Sequence, residues 1–235
     1  MLPKVPQWQN YITAWNEAKF SKYFLNSTLI ALGTIAGLLF TSILAGYAFG
    51  RIEFKGKNIF FALFLATMMI PESVTLIPNF LMIQSKIIPL PGGSWMNTYW
   101  ALTVPFMANA FSVFLLKQFF AQVPKELWDA ARIDGADHLR FLVQVVLPIS
   151  KAPIMTVLLF AFTGAWNAFQ WPLLVTTKEV WRPMMIGLWN FTSEAGPETH
   201  LLMAGAVITL VPILVVYFIT QKQFTQGIAT TGLKG

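Results

Sequence analysis

The stretch FLNSTLIALGTIAGLLFTSILAGYAFG, residues 24–50, carries no charged side chain. A bilayer's hydrocarbon core is about 30 Å thick, and about 20 apolar residues cross it as an α-helix at about 1.5 Å per residue. The stretch therefore predicts a membrane-spanning helix. Its two glycine pairs, Gly33 with Gly37 and Gly46 with Gly50, have a spacing that lets another helix pack closely. The alternative interpretation is that this glycine spacing arises by chance, because glycine is frequent in membrane helices.

Outward from this stretch, the whole chain has the composition of a membrane protein. Of its 235 residues, 56% are hydrophobic and 11% charged, with a mean hydropathy of +0.60, whereas soluble domains carry about a quarter charged residues. A soluble globular fold is excluded. Backbone polar groups inside lipid need partners within the protein, so the apolar runs are expected to be helices. The predicted fold is an all-α polytopic membrane helix bundle with five spans, at about residues 24–50, 58–85, 99–119, 149–175 and 200–222.

The positive charges indicate the topology. A formal charge of +6 would suggest nucleic acid in a soluble chain, but in a membrane protein lysine and arginine accumulate on the cytoplasmic side. With the N-terminus outside, ten basic residues lie inside, namely Arg51, Lys55, Lys57, Lys117, Lys125, Arg132, Arg140, Lys151, Lys222 and Lys234. Six lie outside: Lys4, Lys19, Lys22, Lys86, Lys178 and Arg182. The predicted regions are an external segment at 1–23, a membrane domain at 24–222 and a cytoplasmic tail at 223–235. The surroundings are a lipid bilayer, and no nucleic-acid partner is expected.

The second span contains an acidic residue between two prolines. Pro71 and Pro78 remove backbone donors, so a kink or a local unwinding is expected there. Glu72 falls about midway along the span, where a charge is costly unless it faces a cavity or a partner. Two interpretations remain open: Glu72, with Asn79, lines a path for solute, or it makes a structural hydrogen bond to a neighbouring helix.

A polar segment that follows the third span predicts two short helices joined by a glycine. Pro124 suits the first turn of a helix over 125–134, and Gly135 stands where a left-handed C-terminal residue is favoured. Asp137 can cap a second helix with an apolar run over 139–147. The first helix carries small apolar side chains among its charges. They suit insertion into another protein's groove or contact with lipid headgroups, and both interpretations remain open.

Aromatic and amide side chains gather near the end of the fourth span, in the sequence WNAFQW at 166–171. Trp166, Asn167 and Gln170 offer a ring face and amide groups, which suit the C–H faces and hydroxyls of a sugar. The same residue types also serve as membrane-interface anchors and interhelical hydrogen bonds. The sequence alone does not choose between these roles.

Signs of catalysis are missing from the sequence. The chain has no cysteine, and its two histidines, His138 and His200, are predicted on opposite sides of the membrane, so no metal site is expected. The glycine-containing segment GRIEFKGKN at 50–58 departs from the phosphate-loop spacing and ends in asparagine where serine or threonine must meet Mg²⁺. No catalytic residue and no bound cofactor are predicted.

The segment ELWDAARIDGADHLRFLVQVVLP, residues 126–148, resembles the cytoplasmic EAA loop of ABC-importer permeases. Asp129, Ala130 and Ala131 stand at the EAA positions, and Gly135 stands at the glycine. Val145 replaces the isoleucine, and Leu147 and Pro148 form the terminal pair. The segments NYITAW, YFLNS, IPESVTLIP, WNAFQWPLLV and QKQFTQGIATTGLKG are similar to the MalG-type subfamily, which imports carbohydrates.

This resemblance implies a type I ABC importer permease fold in a bacterial cytoplasmic (inner) membrane. The EAA loop, at 120–148, would dock on a cytoplasmic ATPase present in two copies, which bind ATP and Mg. A second, MalF-like permease subunit and an extracytoplasmic solute-binding protein docking on 176–199 would complete the importer. The implied coupling residues are Glu126, Asp129, Ala130, Ala131, Asp134, Gly135, Leu147 and Pro148. The candidate substrate-path residues are Glu72, Asn79, Trp166, Asn167 and Gln170.

The family also carries a membrane helix before the position of Asn10, giving six spans, so we expect a first helix to be missing from this sequence. Residues 1–23 have no apolar core of a signal peptide that would explain an external N-terminus.

The predicted function is a permease subunit of an ATP-driven sugar importer, without catalytic activity of its own. An importer of a non-sugar solute such as glycerol phosphate remains an alternative. A secondary transporter is a weaker one, because five helices and one asymmetric polar loop do not form paired inverted halves.

Overall fold

The computed structural model describes residues 6–85, 90–193 and 196–231. The topology signals at Lys4, Lys86 and Lys234 lie outside these ranges, as does part of each predicted terminal region.

The described chain is almost entirely helical. Its first helices are α1 (Gln9–Glu17), α2 (Phe20–Arg51), α3 (Lys57–Ala66, then a 3-10 turn Thr67–Met69), α4 (Glu72–Ile83), α5 (Tyr99–Thr103, then a 3-10 turn Val104–Phe106) and α6 (Ala110–Ala121). The next are α7 (Lys125–Ile133), α8 (His138–Phe141, then a π turn Leu142–Val146), α9 (Leu147–Ile149) and α10 (Lys151–Trp166). The last are α11 (Gln170–Val175), α12 (Met184–Trp189) and α13 (Thr199–Thr231), and two short antiparallel strands, β1 (Thr192–Ser193) and β2 (Gly196–Pro197), precede α13.

The number of candidate spans agrees with the five predicted from the sequence. Within the described ranges, α2 and α13 are long and apolar enough to cross a membrane alone. Three further pairs qualify if each bent pair counts as one span: α3 with α4, α5 with α6, and α8–α9 with α10. The predicted interruption at Pro71 is confirmed, since α3 and its 3-10 turn end at Met69 and α4 begins at Glu72. Pro78, by contrast, lies inside α4.

Two predicted spans are wrong as continuous helices. Helix is lost at 107–109 in the third span and at 167–169 in the fourth. Pro172 accounts for the second break, because a proline cannot donate to the carbonyl four residues earlier and its ring clashes with it. Pro105 accounts in the same way for the change from α5 to the 3-10 turn Val104–Phe106, and α6 then begins at a new N-cap, Asn109. The carbonyl of Ala101, four residues before Pro105, instead accepts a hydrogen bond from Trp171 Nε1 at 2.8 Å. The helices α1 and α12 were also not predicted.

The described helices form two compact units, each with its own core. Unit 1 comprises Met1–Thr34, Leu76–Pro105 and Phe162–Phe218. Its core is built around the buried side chains of Phe20, Tyr23, Trp166, Met184 and Phe191. Unit 2 comprises Ile35–Thr75, Phe106–Ala161 and Ile219–Gly235. Its core is built around Leu116, Phe120, Phe141, Val146 and Val157.

The glycines of α2 pack closely, which confirms the first interpretation of their spacing. In unit 2 a Cβ added at Gly46 would lie 3.0 Å from Leu116 Cβ, and one at Gly50 would lie 3.3 Å from the Lys117 carbonyl oxygen. Helices α2 and α6 therefore meet with little space between their backbones. In unit 1, Gly33 lies against the Tyr99 hydroxyl, which donates to the Leu29 carbonyl at 3.1 Å.

Candidate functional site

The polar loop of unit 2 carries the predicted short helix, now seen as α7. Pro124 precedes it, Glu126 lies in its first turn and Arg132 in its last. Acidic residues near a helix N-terminus and basic residues near the C-terminus complement the helix dipole. This local chemistry favours a helix of only nine residues, which would be marginal alone.

Gly135 ends α7 in the way its sequence position predicts. Its φ is +76°, in the left-handed region, and apart from its two chain neighbours no heavy atom of the described residues would lie within 4 Å of a Cβ added there. The Ala136 N–H donates to the Ala131 carbonyl at 2.8 Å, and the Gly135 N–H donates to the Arg132 carbonyl at 3.0 Å. These two bonds form a Schellman motif, which satisfies the last carbonyls of a helix. The predicted helix–glycine turn is confirmed.

The second helix begins at a capped residue and widens before a proline. Asp137 Oδ1 accepts from the Arg140 N–H at 2.7 Å, as predicted for an N-cap. The Leu147 N–H donates to the Leu142 carbonyl, which is the five-residue step of a π turn. Pro148 follows directly and could not continue a regular α-helical ladder, so the wider turn accommodates it. Beyond Ser150 the chain continues as α10 in a new direction, bent by 83°.

One face of α7 is fixed to unit 2 by aromatic contacts. The Trp128 ring stacks on His138 with centroids 4.4 Å apart and planes 12° apart. A hydrogen bond of 2.9 Å joins His138 Nδ1 to the hydroxyl of Tyr47, a buried residue near the end of α2. Nearby, Arg51 Nη1 donates to the Val123 carbonyl at 2.6 Å. These contacts hold Val123, just before α7, and Trp128, in the middle of α7, against the last turns of α2.

The opposite face of α7 is exposed and mixes apolar with acidic side chains. Ile133 is 87% exposed, and with Glu126 and Ala130 it follows the four- and three-residue spacing of one helix face. The exposed Asp129 and Asp134 flank this row. Of the two alanines at the EAA positions only Ala130 is exposed, because Ala131 packs on the core of unit 2. Pro148 is exposed and Leu147 half-buried.

The acidic side chains of this face are available for a partner. The ion pairs among the described residues are Lys19 with Glu179 and Lys57 with Glu53. The carboxylates of Glu126, Asp129 and Asp134 take part in neither.

Two of the predicted substrate-path residues lie on α4. Glu72 and Asn79 are seven residues apart and both exposed, so they share one face of this helix. Within the described ranges, no side chain hydrogen-bonds the Glu72 carboxylate. The structural hydrogen bond considered for Glu72 is therefore not made by the described part of this chain.

The other three path residues lie where α10 ends, and Trp166 differs from its neighbours. Trp166 is 1% exposed, its Nε1 donates to the Thr209 carbonyl at 3.0 Å, and its ring stacks on Phe162. It thus makes the interhelical hydrogen bond that was one of its two predicted roles. Asn167 is exposed within the break after α10, and Gln170 is exposed at the start of α11.

The segment at 176–199 is fastened to unit 1 by polar contacts. Asn26 Nδ2 donates to the carbonyls of Val180 and Arg182, each at 2.9 Å. Lys19 Nζ lies 2.9 Å from Glu179 Oε1. The hydrogen bond and the charge of Lys19 lower the pKa of the Glu179 carboxyl. Residues 194 and 195 of this segment lie outside the described ranges.

In the described ranges no group of three His, Cys, Asp or Glu side chains is arranged to hold a metal ion. The two histidines belong to different units, His138 to unit 2 and His200 to unit 1.

Sequence reasoning missed the residues that fix α7, namely Tyr47, Arg51, Trp128 and His138. Tyr47 and His138 are 91 positions apart, and nothing in a single sequence links them. Only the spacing of Trp128 and Ala131 on one face of α7 could have signalled an inward-facing side.

These features define a polytopic α-helical membrane protein with a short helix presented on a polar loop. The chain belongs to the family described as "Binding-protein-dependent transport system inner membrane component", whose model matches residues 24–230. It is a permease subunit of an ABC importer, a non-catalytic membrane component. Such an importer also has an ATPase, a solute-binding protein and a second permease.

Relatives in bacteria agree with this assignment. The chain is 33% identical over 236 residues to the sn-glycerol-3-phosphate transport system permease protein UgpE of Yersinia pestis bv. Antiqua, covering 97% of this chain and 82% of that one. It is 30% identical over 234 residues to the arabinooligosaccharides transport system permease protein AraQ of Bacillus subtilis, covering 99% and 81%. Its fold is similar to a chain in the crystal structure of a bacterial ABC transporter involved in the import of the acidic polysaccharide alginate. That similarity has a TM-score of 0.80 at 22% identity, covering 95% and 82% of the two chains.

Proposed function

We propose that α7 is the helix through which this permease docks on its ATPase, with Ala130 and Ile133 at the centre of the contact. The observation that carries this proposal is the exposed Ile133 on a helix whose opposite face is fixed by Trp128 and His138. An apolar row on a rigid helix is suited to a groove on another protein. Gly135 sets the direction in which the chain leaves α7.

Charge supports a protein partner over the lipid surface. Asp129 and Asp134 flank Ala130 and Ile133, and Glu126 lies one turn before Ala130 on the same face. The cytoplasmic leaflet carries negative lipids, which attract basic segments and repel acidic ones. A cleft with basic side chains at its rim would pair with these carboxylates and cover Ile133. The lipid-headgroup alternative is therefore disfavoured by the face that α7 exposes.

Replacing Ile133 with glutamate is expected to reduce the amount of ATPase that co-purifies with the permease pair at least about tenfold, because a charge would enter an apolar contact. The matched control is Val180→Glu, which places the same charge on an exposed aliphatic residue of unit 1. The measurement is the ATPase-to-permease ratio after purification in mild detergent. Unchanged co-purification of the Ile133→Glu complex would show that α7 is not the docking helix.

For the solute, we propose a neutral carbohydrate. Glu72, Asn79, Asn167 and Gln170 are exposed carboxylate and amide groups, which are able to hydrogen-bond the hydroxyls of a sugar. No member of this set is cationic. An arabinooligosaccharide permease among the relatives is in keeping with such a solute.

Glycerol phosphate is the second candidate, because the relative from Yersinia pestis is a glycerol-3-phosphate permease. A phosphate ester is bound best by arginine or lysine. The carboxylate of Glu72 would repel it, whereas a sugar hydroxyl would donate to the same carboxylate. The two solutes thus predict opposite effects of neutralising Glu72.

Glu72→Gln is expected to lower carbohydrate uptake about tenfold while the complex still assembles, because hydrogen bonds to a charged group are worth about 1.5–3 kcal/mol. Uptake of labelled arabinooligosaccharide and of labelled glycerol 3-phosphate would be compared in proteoliposomes holding the complete importer. Glu53→Gln, an exposed acid paired with Lys57, is the control. Wild-type carbohydrate uptake by Glu72→Gln, or a gain in glycerol 3-phosphate uptake, would contradict the proposed solute class.

A further inference from the structure

Trp128, His138 and Tyr47 form a contact that combines a ring stack with a hydrogen bond, which is more specific than ordinary packing of surface side chains. His138 lies just after the Asp137 cap and makes two different interactions with residues from two different elements. Its ring face stacks on Trp128 of α7, and its Nδ1 shares a hydrogen bond with the Tyr47 hydroxyl of α2. The Trp128 ring also meets Phe141 edge-on, with centroids 5.0 Å apart. One side chain therefore links the short exposed helix to a membrane helix.

The two ends of this link differ in how firmly they are held. Tyr47 is 4% exposed and belongs to the core of unit 2, and α2 is continuous from Phe20 to Arg51. The α7 end is a nine-residue helix on the surface, closed by the Schellman motif at Gly135. The Arg51 bond to the Val123 carbonyl adds a second connection between α2 and the chain that enters α7.

Through the covalent chain alone, a displacement of α7 would reach the membrane helices by a different route. Along the chain, a displacement of α7 reaches α10 only after the glycine turn, the π turn before Pro148 and the bend of 83° after Ser150. A π turn and a sharp bend both interrupt the regular α-helical hydrogen-bond ladder along this route. By contrast, α7 has little freedom to move relative to α2, because the Trp128 ring stacks on His138 and His138 is hydrogen-bonded to the buried Tyr47.

We infer that Trp128, His138 and Tyr47 form a transmission contact that carries displacement of α7 into α2, in addition to the chain connection to α10. This inference rests on the proposed docking of α7 on the ATPase. The three side chains act as positioning residues: their contacts with one another keep α7 and the last turns of α2 moving as one body. Losing the contact would let the ATPase move α7 without moving α2 to the same extent.

The structure offers variants that separate the two interactions of His138. His138→Phe keeps an aromatic ring for stacking on Trp128 but removes the Nδ1 atom. His138→Asn keeps a polar atom that can reach Tyr47 but removes the ring. Tyr47→Phe removes only the hydroxyl from a buried ring. Tyr11→Phe, at a half-buried tyrosine of unit 1, is the matched control.

The experiment measures solute transported per ATP hydrolysed, in proteoliposomes that hold the complete importer with loaded binding protein. For Tyr47→Phe, His138→Phe and His138→Asn, this ratio is expected to fall about fivefold, as for the loss of one net hydrogen bond or ring contact, while ATPase co-purification stays unchanged. Because Tyr47→Phe and His138→Phe break the same bond, their double variant is expected to fall no further than either alone. A purely structural role would change the amount of assembled complex and leave the ratio unchanged.

Three results would overturn the inference in distinguishable ways. If Ile133→Glu removes the ATPase while the three variants keep the wild-type ratio, α7 docks as proposed but the contact to α2 transmits nothing. If Ile133→Glu leaves the ATPase bound, the proposed docking itself fails and the inference fails with it. A fully additive double variant would show that Tyr47 and His138 act independently and would contradict a shared contact.

Discussion

Gly135→Val is expected to lower solute-stimulated ATP hydrolysis by the assembled importer at least about tenfold, with the permease still inserted in the membrane. Gly135 has a φ of +76°. A non-glycine residue in this region costs about 1–2 kcal/mol, and a β-branched side chain fits it worst. The two hydrogen bonds of the Schellman motif would be strained or lost, and the chain would leave α7 in another direction. About 1.4 kcal/mol corresponds to a tenfold change in an equilibrium.

The matched variant for this prediction is Gly135→Asn, because asparagine tolerates the left-handed region far better than valine. Beyond its two chain neighbours, no atom of the described part of the chain lies within 4 Å of a Cβ at Gly135, so the two variants differ in backbone strain and not in a clash. We expect Gly135→Asn to retain most of the activity. Equal activity of the valine and asparagine variants would contradict the role of this backbone conformation. The measurement is hydrolysis rate with and without loaded binding protein.

Trp166→Ala is expected to destabilise the protein by about 3–5 kcal/mol, as for removal of a fully buried tryptophan. The ring is 1% exposed, stacks on Phe162 and meets Phe24 edge-on at 5.5 Å. Trp166→Phe keeps most of the ring but leaves the Thr209 carbonyl without its indole donor, at a cost of about 1–3 kcal/mol. The measurement is thermal unfolding of the purified importer in one detergent.

Trp8→Ala is the control for Trp166, since Trp8 is 72% exposed and its truncation opens no buried cavity. A sugar-stacking role would predict another pattern, with weakened solute-stimulated hydrolysis in Trp166→Phe and unchanged unfolding temperature in Trp166→Ala. That result would restore Trp166 to the substrate path and contradict its assignment to the core of unit 1.

Local signals in the sequence predicted the short helix and its ends. Pro124, Gly135 and Asp137 each act within a few residues of their own position, through a fixed φ, a left-handed turn and a side-chain cap. The interruption at Pro71 was predicted for the same reason. Pro105 and Pro172 are local signals of the same kind, but the apolar composition around them predicted continuous helices.

The roles of individual side chains needed the folded chain. Trp166 had two possible roles until burial and its bond to Thr209 distinguished them. Ala130 and Ala131 are adjacent in sequence, yet only the first is exposed, because Trp128 and His138 decide which face of α7 turns inward.

The membrane-helix class, the number of spans and the helix–glycine–helix of the polar loop follow from the sequence alone. They depend on hydropathy over about 20 residues and on capping within one turn, which are local properties of a chain. The folded chain was needed to establish which residues hold α7, which of the predicted path residues are exposed, and how closely α2 packs on α6. Those outcomes depend on contacts between residues far apart in sequence, such as Tyr47 with His138, and such contacts form only when the units pack.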